Sequence, residues 1–195
     1  MSKQKMKKYS FALSLLSILA LFSHVSAQEP AKPVIGIITG LDKDSIYAAN
    51  GYRFREEGVQ GSFSPRRWTE AQFQNNMALV KTFRCKVLSA NSFFHGYIKL
   101  VGPDRNESVI LGYVDTVFRR AHQAGLKIVV LGSGDARRIP DGYDRQLARE
   151  EFVDVVRKMA GIAKRYDITI AMENLNRGET NFGKAEVVGD RRAHV

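Results

Sequence analysis

The sequence predicts a parallel α/β fold, and three observations point to it. Five short apolar runs alternate with segments of helical character along most of the chain. The runs are continuous and not polar–apolar alternating, as strands covered on both faces require. No G-x-G-x-x-G motif follows the first run, so a dinucleotide-binding sheet lacks its usual phosphate cradle. Helix–strand alternation alone leaves a doubly wound sheet and a β/α barrel equally open.

The elements follow in order. Val34–Ile38 is a compact β-branched run, and Tyr52–Val59 is a more polar second strand. Trp68–Phe83 reads as a helix. Thr69 and Gln72 have capping-box spacing, Trp68 and Phe73 have staple spacing, and Phe73, Met77 and Val80 share one face. Cys85–Ala90 is the third strand, leading into the turn Asn91–His95. A helix opening at Ser108 would face Ile110, Val114, Val117, Phe118 and Ala121 inward and stop at Gly125. Lys127–Leu131 is the fourth strand, ending in Gly132-Ser133-Gly134. The longest helix spans Asp144–Tyr166, with Ala148, Phe152, Val156, Met159 and Ala163 on its apolar stripe, and Ile168–Met172 is a fifth strand ending at Glu173.

Residues 1–27 are expected to be a signal peptide, because Lys3, Lys5, Lys7 and Lys8 precede the apolar run Phe11–Phe22 and the small-residue site Val25-Ser26-Ala27. That run falls short of the roughly 20 residues of a spanning helix, so an exported product, periplasmic or secreted, without a stable membrane anchor is expected. The chain carries a formal charge of +10, to which those four leader lysines contribute. Some of its arginines occur as scattered pairs, Arg66-Arg67, Arg119-Arg120, Arg137-Arg138 and Arg191-Arg192, and the rest singly, with no basic stripe. Solvated helix faces explain the pairs on helices, and nucleic acid is not an expected partner. Cys85 is the single cysteine, which excludes an intrachain disulfide and reads as a small core residue.

In parallel α/β folds, chemistry gathers where strands deliver the chain into loops. Four such exits carry polar groups: Glu56-Glu57, Asn91–His95, Gly132–Arg138 and Glu173–Asn181. A carboxylate directly after an apolar strand needs a metal, a cation or water, so Glu173 is either a hydrogen-bonded structural group or a ligand-facing one.

The phrase Ile170-Ala171-Met172-Glu173-Asn174-Leu175-Asn176-Arg177 resembles the fifth-strand signature of the sugar phosphate isomerase/epimerase family, the xylose isomerase-like TIM barrels. Val130–Gly134 with Ala136-Arg137 and Pro140-Asp141-Gly142 is similar to that family's fourth-strand exit. Asn91–Phe94 with Lys99–Pro103 is similar to its third. The resemblance implies a partial (β/α)8 TIM barrel of about five parallel strands over residues 28–183. It also implies an isomerase that moves a proton next to the carbonyl of a sugar or sugar phosphate. Glu173 then matches a catalytic carboxylate and ligand to a divalent metal (manganese, magnesium, zinc or cobalt), and Glu179 matches a substrate-contacting position. Arg137 faces an anionic or hydroxyl-rich substrate, or pairs with Asp141 at a helix start. His95 contacts substrate or packs in its turn.

The sequence departs from the family after Phe182. A family barrel has eight strands, and its other ligands (an aspartate, a histidine and a second glutamate) come from strands six to eight. Residues 184–195 show no helix stripe and do not resemble the expected helix. They read as the atypical tail of a shortened frame, and the metal is not expected to be retained. A five-strand piece leaves sheet edges open, so self-association is expected. Two other readings remain: a non-catalytic exported binding or assembly fragment, and an abasic-site endonuclease-like barrel.

Overall fold

A computed structural model describes residues 35–40 and 43–182. The expected leader and the atypical tail lie outside the described residues. In chain order the elements are β1 (Gly36–Ile38), α1 (Asp44–Ala49), β2 (Phe54–Gly58), α2 (Val59–Ser62), α3 (Glu70–Val80), β3 (Lys86–Asn91), α4 (Glu107–Gln123), β4 (Ile128–Leu131), α5 (Arg145–Arg165) and β5 (Thr169–Met172).

The five strands form one sheet in the order β1-β2-β3-β4-β5, every pair parallel. A doubly wound sheet reverses its order at a switch point, whereas strands laid down in chain order build a barrel wall. The architecture is therefore part of a TIM barrel. Helices α3, α4 and α5 cover one face, where Phe73, Val114, Phe118, Phe152 and Met159 pack with Val87, Ala90, Val129 and Leu131.

Burial along β2, β3 and β4 alternates, which differs from the two-sided burial read from the sequence. The helix-covered face is dry. The other face has no further strand layer among the described residues, so Ile38 is 68% and Leu88 38% exposed. The β2–β3 register shifts between Arg55 and Glu56: Arg55 pairs with Val87 and Glu56 with Ser89, leaving Leu88 as the extra residue of a bulge.

Local signals set the helix starts. Gln72 N–H donates to Thr69 Oγ1 (3.3 Å) and Thr69 N–H to Gln72 Oε1 (3.0 Å), the reciprocal capping box that begins α3. Trp68 donates its indole N–H to the Gly61 carbonyl (2.8 Å), tying the helix to the loop before it. Helix α4 starts just before Ser108 because Asn106 is the cap, accepting from Val109 N–H (3.2 Å). In α5 the buried stripe takes Val155, with Val156 half-buried at its flank, because both residues are apolar and the 3.6-residue period favours the first.

Arg120 is buried and not solvated as its position on a helix suggested. Its guanidinium donates to the Phe63 and Trp68 carbonyls (3.2 and 3.1 Å) and to Glu70 (3.2 Å), above the Phe73 ring. Cys85 is fully buried, and burial pushes its thiol pKa up, as suits an inert core residue. The neighbouring backbone N–H groups of Arg84 and Cys85 both donate to the Asp44 carboxylate (2.9 Å each).

Candidate functional site

Paired residues of a parallel ladder share a face. Glu56 therefore lies with Ser89, Ile128 and Thr169 on the face away from the helices. At the strand exits this face opens into a cavity of about 620 Å³ whose polar lining includes Glu56, Asn91, Ser133, Arg138, Glu173 and Glu179.

Glu173 continues the β5 ladder by one residue, its N–H donating to the Leu131 carbonyl (3.1 Å). Its carboxylate lies across Gly132. A Cβ on that glycine would fall well inside contact with Glu173 Oε2 and 3.1 Å from Cδ, so only glycine leaves the space the side chain occupies. Gly134 plays a similar part for the Glu179 main chain: a Cβ there would lie 3.0 Å from the Glu179 carbonyl carbon and 3.2 Å from Leu175 Cδ1.

Glu179 faces the cavity from the loop after β5. Its Oε2 accepts from Asn176 N–H (3.0 Å), while Asn176 Oδ1 accepts from Gly178 and Glu179 N–H (2.8 and 3.3 Å). The loop is fastened to the β4–α5 segment, because Asn181 pairs with both the N–H and the carbonyl of Ile139 (2.8 and 2.7 Å). Arg138 adds a bond to the Glu179 carbonyl (3.2 Å).

Arg137 is placed differently from either sequence expectation. It is 1% exposed, stands outside the cavity lining, and donates through Nη2 to the Glu173 main-chain carbonyl (2.9 Å) in place of pairing with Asp141. Burial pulls its pKa down, opposed by the nearby charges of Glu173 and Glu179. His95 is exposed and outside the lining, its ring 5.1 Å from that of Tyr97.

Residues to which the sequence assigned no individual role complete the site. Ser92 and Ser133, at the β3 and β4 exits, both adopt left-handed backbone (φ 52° and 47°), an uncommon state that concentrates at functional turns. Ser133 Oγ accepts from Phe94 N–H (2.9 Å), coupling the two exits. Beneath them Gln60 and Tyr113 both donate to the Phe93 carbonyl (2.9 Å each), and burial pushes the Tyr113 hydroxyl up to about 12. Glu56 accepts from Ser89 Oγ (2.7 Å) and Asn91 Nδ2 (2.9 Å). Its signal was present in the sequence as a carboxylate inside a strand.

The family model for xylose isomerase-like TIM barrels matches residues 46–191. The chain belongs to the xylose isomerase-like TIM-barrel family. Solved structures agree on this barrel. The AP endonuclease, family 2, of Brucella melitensis is 18% identical with a TM-score of 0.62, covering 84% of this chain and 65% of that one. The 3-keto-D-glucoside 4-epimerase of E. coli is 18% identical with a TM-score of 0.59, covering 75% and 57%. The D-psicose 3-epimerase of Clostridium cellulolyticum H10 is 18% identical with a TM-score of 0.53, covering 74% and 53%. Identity this low speaks for the fold alone. The chain spans 53% to 65% of the length of these three structures. No curated protein sequence matches the chain. Among the described residues of this xylose isomerase-like chain, no three His, Cys, Asp or Glu side chains come together as a metal site.

Proposed function

We propose that this protein is sugar isomerase/epimerase-like, with Glu173 as the carboxylate that moves a proton on a carbon beside a sugar carbonyl. The supporting observation is the placement of that carboxylate at the tip of β5, across Gly132 and in one cavity with Glu56 and Glu179. A carboxylate so held takes the proton from the carbon next to the carbonyl, leaving an enediolate. Return of a proton to the opposite face of that carbon epimerises the sugar, and return to the neighbouring carbon isomerises it. Glu179 and Arg138 offer an acceptor and a donor to the sugar hydroxyls.

A divalent cation (manganese, magnesium, zinc or cobalt) would polarise the substrate oxygens in such chemistry. The described residues fit it only in part: Glu173 is a suitable hard ligand without the companions of a closed coordination shell. Further ligands would have to come from outside these residues.

The test is solvent deuterium exchange into D-fructose followed by NMR, with the full chain alone and with each of the four cations. Glu173-dependent exchange is expected, lost in Glu173→Gln. Exchange that persists in Glu173→Gln, or no exchange from the chain in any condition, refutes the catalytic reading.

A second reading, a non-catalytic binding or assembly fragment, is favoured by Ile35 and Ile38 on the β1 side (69% and 68% exposed) and Met172 on β5 (40% exposed). An abasic-site endonuclease gains no such support, because among the described residues lining the cavity Arg138 is the one basic side chain to meet a phosphate backbone.

A further inference from the structure

Glu56 has no part in the chemistry just described, yet its surroundings are built. It stands in the middle of β2, where an inner-face residue of a barrel wall is ordinarily apolar. Both carboxylate oxygens are engaged from the next strand, Oε2 by the Ser89 hydroxyl (2.7 Å) and Oε1 by the Asn91 amide (2.9 Å). Among the described residues no ion pair reaches it. Neutral donors orient a carboxylate without neutralising it. Each oxygen also keeps a second lone-pair direction, because an ionised carboxylate offers about four acceptor sites. Glu56 is half-buried and lines the cavity, so those directions are accessible to a ligand.

The bulge between β2 and β3 explains how this geometry arises. With Leu88 as the extra residue, Ser89 is brought opposite Glu56 in register and Asn91 opposite Gly58. Both donors thus come from the strand beside it. The left-handed Ser92 then turns the chain out of β3 immediately beyond Asn91.

We propose that Glu56 is a second ligand-binding carboxylate of the cavity, fixed by Ser89 and Asn91 to accept hydrogen bonds from hydroxyl groups of a polyhydroxylated ligand. The lining favours such a ligand over a cation. The lining combines acceptors at Glu56, Asp135, Glu173 and Glu179 with groups that can donate, at Asn91, Ser92, Ser133 and Arg138, and a sugar both donates and accepts at every hydroxyl. A cation would need three ligating side chains together, which the described residues do not offer. Glu56 lies on β2 and Glu173 at the end of β5, and both line the one cavity.

The inference rests on the sugar-binding part of the proposed function, not on catalysis. The experiment is an amide NMR titration of the full chain with D-fructose, comparing wild type, Glu56→Gln and Glu173→Gln, each checked for folding by circular dichroism. The expected result is at least tenfold weaker binding in Glu56→Gln. Affinity within twofold of wild type in Glu56→Gln, with binding lost in Glu173→Gln, overturns the role of Glu56 and leaves the isomerase-like reading standing. No binding by wild type overturns both. Should Glu56→Gln fail to fold, Glu56→Asp keeps the charge but shortens the reach, and wild-type affinity in that variant overturns the proposal equally.

Discussion

Alanine at Gly132 and at Gly134 should produce opposite kinds of damage, although the residues are two apart. The Cβ of Gly132→Ala would strike the tip of the Glu173 side chain, and the tip can swing away by rotation about its own bonds. The Cβ of Gly134→Ala would strike the main chain of Glu179, in a loop held by both bonds between Asn181 and Ile139. Inserting a methyl where backbone must give way costs about 1–3 kcal/mol. Each substitution recovers about 0.4–1 kcal/mol, because alanine has fewer unfolded conformations than glycine. The net change for Gly134→Ala is therefore a loss of up to about 2.5 kcal/mol. For Gly132→Ala it stays within about 1 kcal/mol of zero. Urea unfolding followed by circular dichroism measures both, and D-fructose titration reads the site. Gly132→Ala should retain stability and lose ligand, because its carboxylate no longer points into the cavity. If Gly132→Ala is destabilised as strongly as Gly134→Ala, or binds as wild type does, the idea that glycine makes room for the carboxylate is wrong.

Two further outcomes are expected. Hydrogen bonds from Arg119, then from Gln74 and Arg120, hold the Glu70 carboxyl down to about 2. A depressed acid stabilises the fold above its unfolded pKa and loses that contribution as pH falls through the folded value. Glu70→Gln should therefore cost about 1 kcal/mol near neutral pH, discounted for an exposed pair, and the gap from wild type should close between pH 4.5 and about 2. A gap that stays constant through that range would show that charge is not the cause. Among the described residues no strand pairs the outer edges of β1 and β5, and these edges should drive association with rising concentration, measured by sedimentation velocity, with Ile38→Lys reducing it. A monomer at all concentrations, or no effect of Ile38→Lys, refutes edge pairing.

Much of the fold was legible because it is written in local signals. The capping box at Thr69 and Gln72, the apolar stripe of α4 and the five β-rich runs each act over a few residues. Glu173 was legible for the same reason, as a charge abutting an apolar strand. Whether these elements make a barrel or an open sheet was decided only by strand order, which is non-local. The reason Gly132 must be glycine sits on the next strand, and no neighbour in the sequence announces it. Arg120, read as solvated, and Arg137, read as facing substrate or pairing with Asp141, are both placed by distant partners. Their burial depends on carbonyl groups many positions away that accept from them. Glu56 was visible among the strand exits but took no role until Ser89 and Asn91 were seen to hold it.

The chain-order sheet has a consequence for how the molecule is made. Each strand pairs only with those immediately before and after it, so every strand-to-strand closure spans a single connecting segment. Loop-closure entropy grows only with the logarithm of the distance bridged, and here no long closure is required. A nascent polypeptide can zip each new strand onto the last as it leaves the ribosome.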